Sequence, residues 1–85
     1  MNRLWQPGRD VRGVYLYMQI SDSVRLIKRR ASENSIRWLY EIHAWDNLTQ
    51  QYAPYRVKSS HTATTAVAAA KELARSLGEE TAAVR

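Results

Sequence analysis

The chain has 85 residues, enough for one domain with a single small hydrophobic core. It contains no cysteine, which excludes a disulfide framework and a thiolate metal site, and its two histidines are too few and too far apart to indicate a zinc site. Lys and Arg number 13 against 8 Asp and Glu, a net charge of +5 that favours an anionic partner. We therefore expect neither a metal nor another cofactor.

The excess positive charge is concentrated in the first part of the chain. Residues 1–60 carry 10 basic and 5 acidic side chains, whereas residues 61–85 carry three of each. The aromatic residues are three Trp and five Tyr with no Phe, so every ring has a polar group, as is typical of rings that lie at interfaces as well as in cores. The pattern predicts a side that faces a polyanion; a basic surface that serves only solubility is the alternative.

Residues 1–12 show no hydrophobic periodicity and contain Pro7-Gly8, which predicts an irregular N-terminal arm. We expect Trp5 to pack over a sheet edge rather than bind a ligand. The segment is polar and does not resemble a signal peptide, and no apolar run approaches the ~20 residues that a membrane span needs. We therefore expect a cytoplasmic protein without membrane contact.

Alternation of apolar and polar residues predicts strands over Gly13–Ile20, Val24–Arg30, Ser35–Trp45 and Gln50–Ser59. The third segment has the longest run of β-branched and aromatic residues, and we interpret it as the central strand. Short polar turns join the segments, which predicts an antiparallel meander. Pro54 lacks a backbone donor and places the last strand at an edge.

The period changes to that of a helix between Thr62 and Leu77. Thr62 is a candidate N-cap, and Gly78 is a candidate stop signal. We expect residues 79–85 to fray as a tail; a short edge strand over Thr81–Val84 is the alternative. The sequence thus predicts an α+β fold in which a single domain, residues 13–78, packs an antiparallel sheet of three to four strands on one C-terminal helix. The helix face predicted to cover the sheet consists of Ala66, Ala69, Ala70, Leu73 and Leu77.

One helix cannot cover the whole sheet, and the uncovered face on the predicted pairing is too apolar and aromatic to be merely solvated. Basic side chains on the second hairpin and the fourth strand lie close to this face. Arginine forks suit phosphate oxygens, and Tyr and Trp rings can stack on exposed bases. On the alternative interpretation, these cations only protect sheet edges from aggregation. The candidate binding residues are Arg25, Lys28, Arg29, Arg30, Arg37, Trp45, Arg56, Lys58, Tyr15 and Tyr17.

Glu41 and His43 lie two residues apart on one strand face, a pairing that occurs in acid–base sites. The sequence offers no nucleophile at a recognisable spacing, no glycine-rich phosphate loop and no second carboxylate in register. An ordinary polar pair is therefore the favoured interpretation, and we expect no catalytic activity.

The segment Arg37-Trp38-Leu39-Tyr40-Glu41-Ile42, a polar turn, a further strand and then Thr62-Ala63-Thr64-Thr65-Ala66 at the start of a helix resembles the AP2-like DNA-binding domain. That domain occurs at the N-termini of phage and transposon integrases, and the resemblance covers about half of the chain. It implies a sheet that enters the major groove. The residues that it would place at the DNA are Arg25, Arg29, Arg37, Trp45 and Arg56.

Two functions remain open from the sequence. The first is a small non-catalytic protein that binds DNA or another nucleic acid through a basic, aromatic-containing sheet face. The second is a protein–protein interaction module of the phage or mobile-element type, an inhibitor or adaptor. It would present the same Tyr, Trp and Arg surface to an acidic protein or to its own copy as a homodimer.

Overall fold

The computed structural model describes residues 5–30, 32, 34, 37–55 and 62–79. Five strands form one antiparallel sheet in chain order, and a single helix follows. The predicted α+β class, the antiparallel meander and the C-terminal helix are confirmed, but the sheet has five strands rather than three to four. The elements are β1 (Gln6–Asp10), β2 (Gly13–Gln19), β3 (Val24–Arg30), β4 (Trp38–Asp46), β5 (Gln51–Pro54) and α1 (Ala63–Ser76).

The additional strand, β1, lies in the segment predicted to be an irregular arm, so that prediction was wrong for residues 6–10. Pro7 is tolerated because β1 is an edge strand, where a missing backbone donor leaves no ladder bond unmade. Gly8 lies opposite Tyr15, whose ring covers it: a Cβ on Gly8 would be 2.6 Å from Cζ of Tyr15. Pro7 and Gly8, which are unfavourable inside most strands, are therefore compatible with an edge strand beside Tyr15.

The remaining strands match their predictions with changes at the ends. The structure begins β4 at Trp38, and residues 35 and 36 lie outside the described part of the chain. Because β1 is present, the central strand is β3 rather than the segment Ser35–Trp45. The predicted edge position of the strand with Pro54 is confirmed, although β5 ends there and residues 56–59 are outside the described residues.

The hydrophobic core lies between α1 and one face of the sheet. Its sheet side is formed mainly by β2, β3 and Tyr40, with Ile20, Val24 and Leu26 fully buried. On the helix side, Ala66, Ala70 and Ala74 are buried at successive i, i+4 positions, and α1 packs on β3 and β4. Small side chains let the helix approach the sheet closely, as the alanine-rich sequence predicts. Partly buried side chains complete the core at its margins: Trp5, Trp38, Ile42, Val67 and Leu73.

The covered face of α1 differs from the predicted one at three positions. Ala69 and Leu77 are exposed, while Ala74, which was not included, is buried. The helix ends at Ser76, and Gly78, the predicted stop signal, follows with a φ of +75°. Glu79 does not fray: its carboxylate accepts hydrogen bonds from Ser21 Oγ (2.6 Å) and Ser23 N (3.0 Å), which ties the helix end to the β2–β3 turn. Residues 80–85 lie outside the described residues.

Among the described residues, no helix is both long enough and apolar enough to span a membrane.

Candidate functional site

The sheet face opposite the helix carries a cluster of charged side chains, Asp10, Arg12, Arg29, Glu41 and His43, termed here the charge cluster. Arg29 donates to both carboxylate oxygens of Asp10, with 3.2 Å between Nη1 and Oδ1. Glu41 Oε1 accepts from Arg12 Nη2 at 2.7 Å and lies 3.1 Å from His43 Nε2. The predicted Glu41–His43 polar pair is therefore present, inside a larger network.

Strand register brings the charge cluster together. Alternate residues of β3 and β4 point to one face, which places Arg29, Glu41 and His43 on the same side of the sheet. The Tyr15 ring lies over Gly8. The Arg29 guanidinium, which bonds to Asp10, lies 4.9 Å from the centre of that ring. Arg12 reaches Glu41 from the β1–β2 turn. Three separate segments therefore build the cluster.

The charge cluster is largely buried although no helix covers it. Arg29, Glu41 and His43 are only 7–8% exposed. The sheet is curved into a half-barrel, and neighbouring side chains on its open face shield these groups from solvent. Nε of Arg29 is buried without a hydrogen-bond partner among the described residues, 3.8 Å from Glu41 Oε2. Buried charges of this kind persist only when they are paired. Arg29 is consequently a structural cation.

The carboxylates of the cluster are held in their charged forms. The hydrogen bond from Arg29 lowers the pKa of Asp10, and it outweighs the opposing effect of partial burial. Burial by itself would raise the pKa of Glu41, but hydrogen bonds from Arg12 and His43 and the nearby arginine charges lower it overall. Asp10 and Glu41 are therefore ionised at neutral pH.

A second arrangement on the same face surrounds Arg25. Its guanidinium lies 4.3 Å from the ring centre of Tyr17 and 4.0 Å from that of Tyr52, and Nε donates to Gln19 Oε1 at 2.7 Å. Trp45 packs edge-on against Tyr52 with 5.2 Å between ring centres. Arg25 is thus sandwiched between rings of this chain, and Trp45, 39% exposed, is the more accessible member of the group.

Lys28 and Arg30 lie on the opposite face of the sheet from Arg25 and Arg29, because residues alternate along β3. The ammonium of Lys28 lies 4.2 Å from the Trp5 ring centre and 4.9 Å from that of Trp38. Arg30 is exposed, with its guanidinium 5.2 Å from the Trp38 ring centre. The predicted set of cations is therefore divided between two faces rather than gathered on one.

A cavity of about 660 Å³ lies at the end of the sheet formed by the β1–β2 turn, the end of β3 and the start of β4. Arg30 pairs with Trp38 across the β3–β4 ladder at this end, and Arg37 next to it is exposed. We call this end of the sheet, with its exposed arginines, the basic end. The cavity is lined by Arg12, Val14, Tyr15, Leu16, Arg29, Arg30, Ser32 and Trp38.

The cavity includes Arg12, Ser32 and Trp38, which the sequence did not single out for binding. Arg12 was assigned to the irregular arm, and Trp38 was not among the candidate binding residues. The dipeptide Arg12-Gly13 is typical of a turn that carries a charged side chain. This local signal could have predicted an exposed cation at this end of the sheet. The predicted candidates Arg56 and Lys58 lie outside the described residues.

No metal site is assembled in the described part of the chain. No group of three or more His, Cys, Asp or Glu side chains there is placed to hold a metal ion. The sequence matches no family of known proteins, and no curated protein or solved structure is similar to it.

Proposed function

We propose that this protein is a non-catalytic nucleic-acid-binding protein that contacts its ligand with the basic end of the sheet. The observation that supports this most is a cavity with three arginines and two aromatic rings in its wall, next to further exposed arginines. Arginine recognises phosphate oxygens through its fork of N–H donors, and aromatic rings stack on bases. This combination is typical of surfaces that bind nucleic acid.

The distribution of charge along the sheet supports the same end. Arg9 and Arg12 on the β1–β2 hairpin and Arg30 and Arg37 beside the β3–β4 connection are all exposed. At the opposite end, the turns carry Asp22 and Asp46, and Glu79 is bonded to the β2–β3 turn. A molecule polarised in this way orients itself toward a polyanion before contact.

The proposed contact surface differs from the open sheet face that the sequence favoured. Arg25 and Arg29 on that face are engaged by Tyr17, Tyr52 and Asp10, so their donors are directed toward side chains of the same chain. Arg30 and Arg37, two of the predicted residues, lie at the basic end. We accordingly propose phosphate contacts at the end of the sheet, where exposed arginines lie beside the cavity.

The test is a fluorescence-anisotropy titration of labelled single-stranded and duplex DNA at about 50 mM and 200 mM salt. We expect binding that weakens steeply with salt, because phosphate contacts release counterions. The double variant Arg30→Ala/Arg37→Ala should bind more weakly and with a smaller salt slope. The control Lys71→Ala/Arg75→Ala removes the same charge from α1 and should bind much as the unaltered protein does. Absence of binding at low salt would overturn the proposal.

One observation favours an interaction with protein instead. Trp45 and Tyr55 are 39% and 41% exposed beside the edge strand β5, and exposed rings of this kind are typical of protein interfaces. The partner would be a second copy of this chain or an acidic protein. Light scattering would reveal a dimer, and Trp45→Ser should then shift it toward monomer. A concentration-independent monomer mass would exclude self-association.

A further inference from the structure

We propose that the cavity at the basic end holds one unstacked nucleotide unit, with its phosphate at Arg12 and Arg30 and its base against Trp38. The inference rests on the proposed function and specifies the ligand chemistry of that same site. A volume of about 660 Å³ lies within the range of pockets that enclose small organic ligands, roughly 300–1,000 Å³. The cavity is therefore large enough for a whole nucleotide rather than a phosphate group alone.

Arg12 supplies the phosphate-binding group. Its side chain is 52% exposed and is anchored at one end, where Nη2 donates to Glu41 Oε1. An arginine has five N–H donors, and no other side-chain bond of Arg12 is made within the described residues. The remaining donors, on Nη1 and Nε, are thus held in place by Glu41 and available to a ligand.

The lining of the cavity favours an anion. Arg12 and Arg29 are matched by Glu41 and Asp10, which bond to them from outside the cavity wall. Arg30 also lines the cavity and is exposed. A phosphate ester suits this arrangement, because it adds negative charge where the wall presents arginine donors and no carboxylate.

The other wall of the cavity is suited to a flat ring. Trp38 is half-buried, and its ring centre lies 4.9 Å from the Lys28 ammonium and 5.2 Å from the Arg30 guanidinium. Val14 and Leu16, on β2, also line the cavity and add apolar surface to it, and Val14 is 63% exposed. A base stacked on or beside Trp38 would cover this apolar surface, which is otherwise in contact with water.

This geometry has a consequence for the form of nucleic acid that is bound. A base within a duplex is stacked and paired, so it reaches such a cavity only after it leaves the helix. A single strand presents its bases without that cost. Single-stranded DNA or RNA should therefore bind more tightly than duplex of the same sequence. A free mononucleotide carries the same chemistry and is the other source of the ligand.

The test compares Trp38→Leu with Trp45→Leu, a matched change at the opposite end of the sheet, by anisotropy with single-stranded and duplex DNA. We expect Trp38→Leu to weaken single-strand binding about 10-fold, in line with the stacking contribution of one base, and to leave duplex binding nearly unchanged. Trp38→Tyr, which retains a ring, should restore most of the loss, and circular dichroism should show that all three variants are folded. Equal effects of the two leucine variants on single-strand binding would overturn the proposal.

A second experiment distinguishes a free mononucleotide from a nucleic-acid strand as the ligand. It also distinguishes failure of the nucleotide site from failure of the proposed function. Adenosine 5′-monophosphate is added as competitor, and its direct binding is measured by the change in tryptophan fluorescence. Competition at millimolar concentration or below identifies free nucleotide as a ligand; Trp38-dependent single-strand binding without competition identifies a strand. If the protein binds the mononucleotide but no DNA, the proposed function fails and the nucleotide site stands. Binding of DNA without dependence on Trp38 gives the opposite result.

Discussion

At the scale of single residues, the stability of the open sheet face depends on how the charge of the buried Arg29 is paired. A guanidinium that is 8% exposed has lost most of its hydration, and its stability depends on the two carboxylates near it. Asp10 accepts from both terminal nitrogens, while Glu41 lies farther from Nε and is shared with Arg12 and His43. The stability of this face therefore depends more on the pairing of buried charges than on the burial of apolar area.

Removing the charge of Glu41 tests how far the stability of the fold depends on the carboxylates that pair with Arg29. Glu41→Gln keeps the shape of the side chain but leaves Arg29 and Arg12 with less counter-charge. We expect a loss of about 3 kcal/mol in the free energy of unfolding at pH 7, the lower end for a broken buried ion pair because Arg12 is half exposed. Urea denaturation measures it. Glu72→Gln on the exposed side of α1 is the control and should change the free energy by less than about 0.5 kcal/mol.

The contact between Gly8 and Tyr15 leads to a second prediction at this scale. In Gly8→Ala the new methyl carbon would lie 2.6 Å from Cζ and 2.8 Å from Oη of Tyr15, so the ring must move away from its contacts with Tyr17 and Arg29. We expect destabilisation by about 1–2 kcal/mol, the usual cost of overpacking. In a Tyr15→Ala background the same substitution should cost much less. Equal costs in both backgrounds would show that the ring is not the obstacle.

At the scale of elements, the contact between α1 and the sheet depends on a line of alanines. Ala66, Ala70 and Ala74 are at most 4% exposed, which leaves no room for larger side chains between the helix and β3. This close approach explains how a helix with few large apolar residues can cover Ile20, Val24 and Leu26. The element is held by close packing and, at its end, by the bonds of Glu79.

Ala70 is the position where the fit is most easily tested. Ala70→Leu inserts three carbons at a site with no exposure and should destabilise the protein by about 2–3 kcal/mol by pushing the helix off the sheet. Ala69→Leu is the matched control, since Ala69 is exposed one residue away and leucine is a good helix former. Thermal denaturation should show a clearly lower melting temperature for the first variant only. A similar loss in both would contradict the packing described here.

At the scale of the whole molecule, the charge cluster couples folding to pH. The pKa values of Asp10 and Glu41 lie below their ordinary values of 3.8 and 4.5 in the folded protein. A carboxylate with a lowered pKa stabilises the fold at pH values above its unfolded pKa, and this contribution is lost as the pH falls through the folded pKa. Stability should accordingly be constant near neutral pH and decline below about pH 4.5.

Asp10→Asn tests this coupling without removing a fully buried charge. The variant should be less stable than the unaltered protein at pH 7, and its stability should decline less steeply below pH 4, because one of the two linked carboxylates is gone. Guanidinium denaturation at pH 7, 4 and 3 gives the comparison. Asp22→Asn in the exposed β2–β3 turn serves as the control. An unchanged pH slope in Asp10→Asn would mean that the Arg29–Asp10 pair contributes little.

The alternation of β2 and β3 and the periodicity of α1 could be predicted from the sequence because both patterns are local. A two-residue period specifies a strand and a 3.6-residue period specifies a helix, whatever the surroundings. The edge position of Pro54 and the helix stop at Gly78 follow from the chemistry of single residues in the same way. These features together were enough for the fold class and for the face of the sheet that the helix covers.

Only the tertiary structure decided which carboxylates pair with Arg12 and Arg29. Arg29 is matched by Asp10, 19 residues away, and Arg12 by Glu41, 29 residues away, and no local pattern encodes such pairings. The strand β1 was missed for the same reason, because the edge position of Pro7 and the Tyr15 ring over Gly8 depend on which strand lies beside them. Local periodicity specifies the elements, but pairing across the sheet determines which charges are neutralised and where a cavity remains.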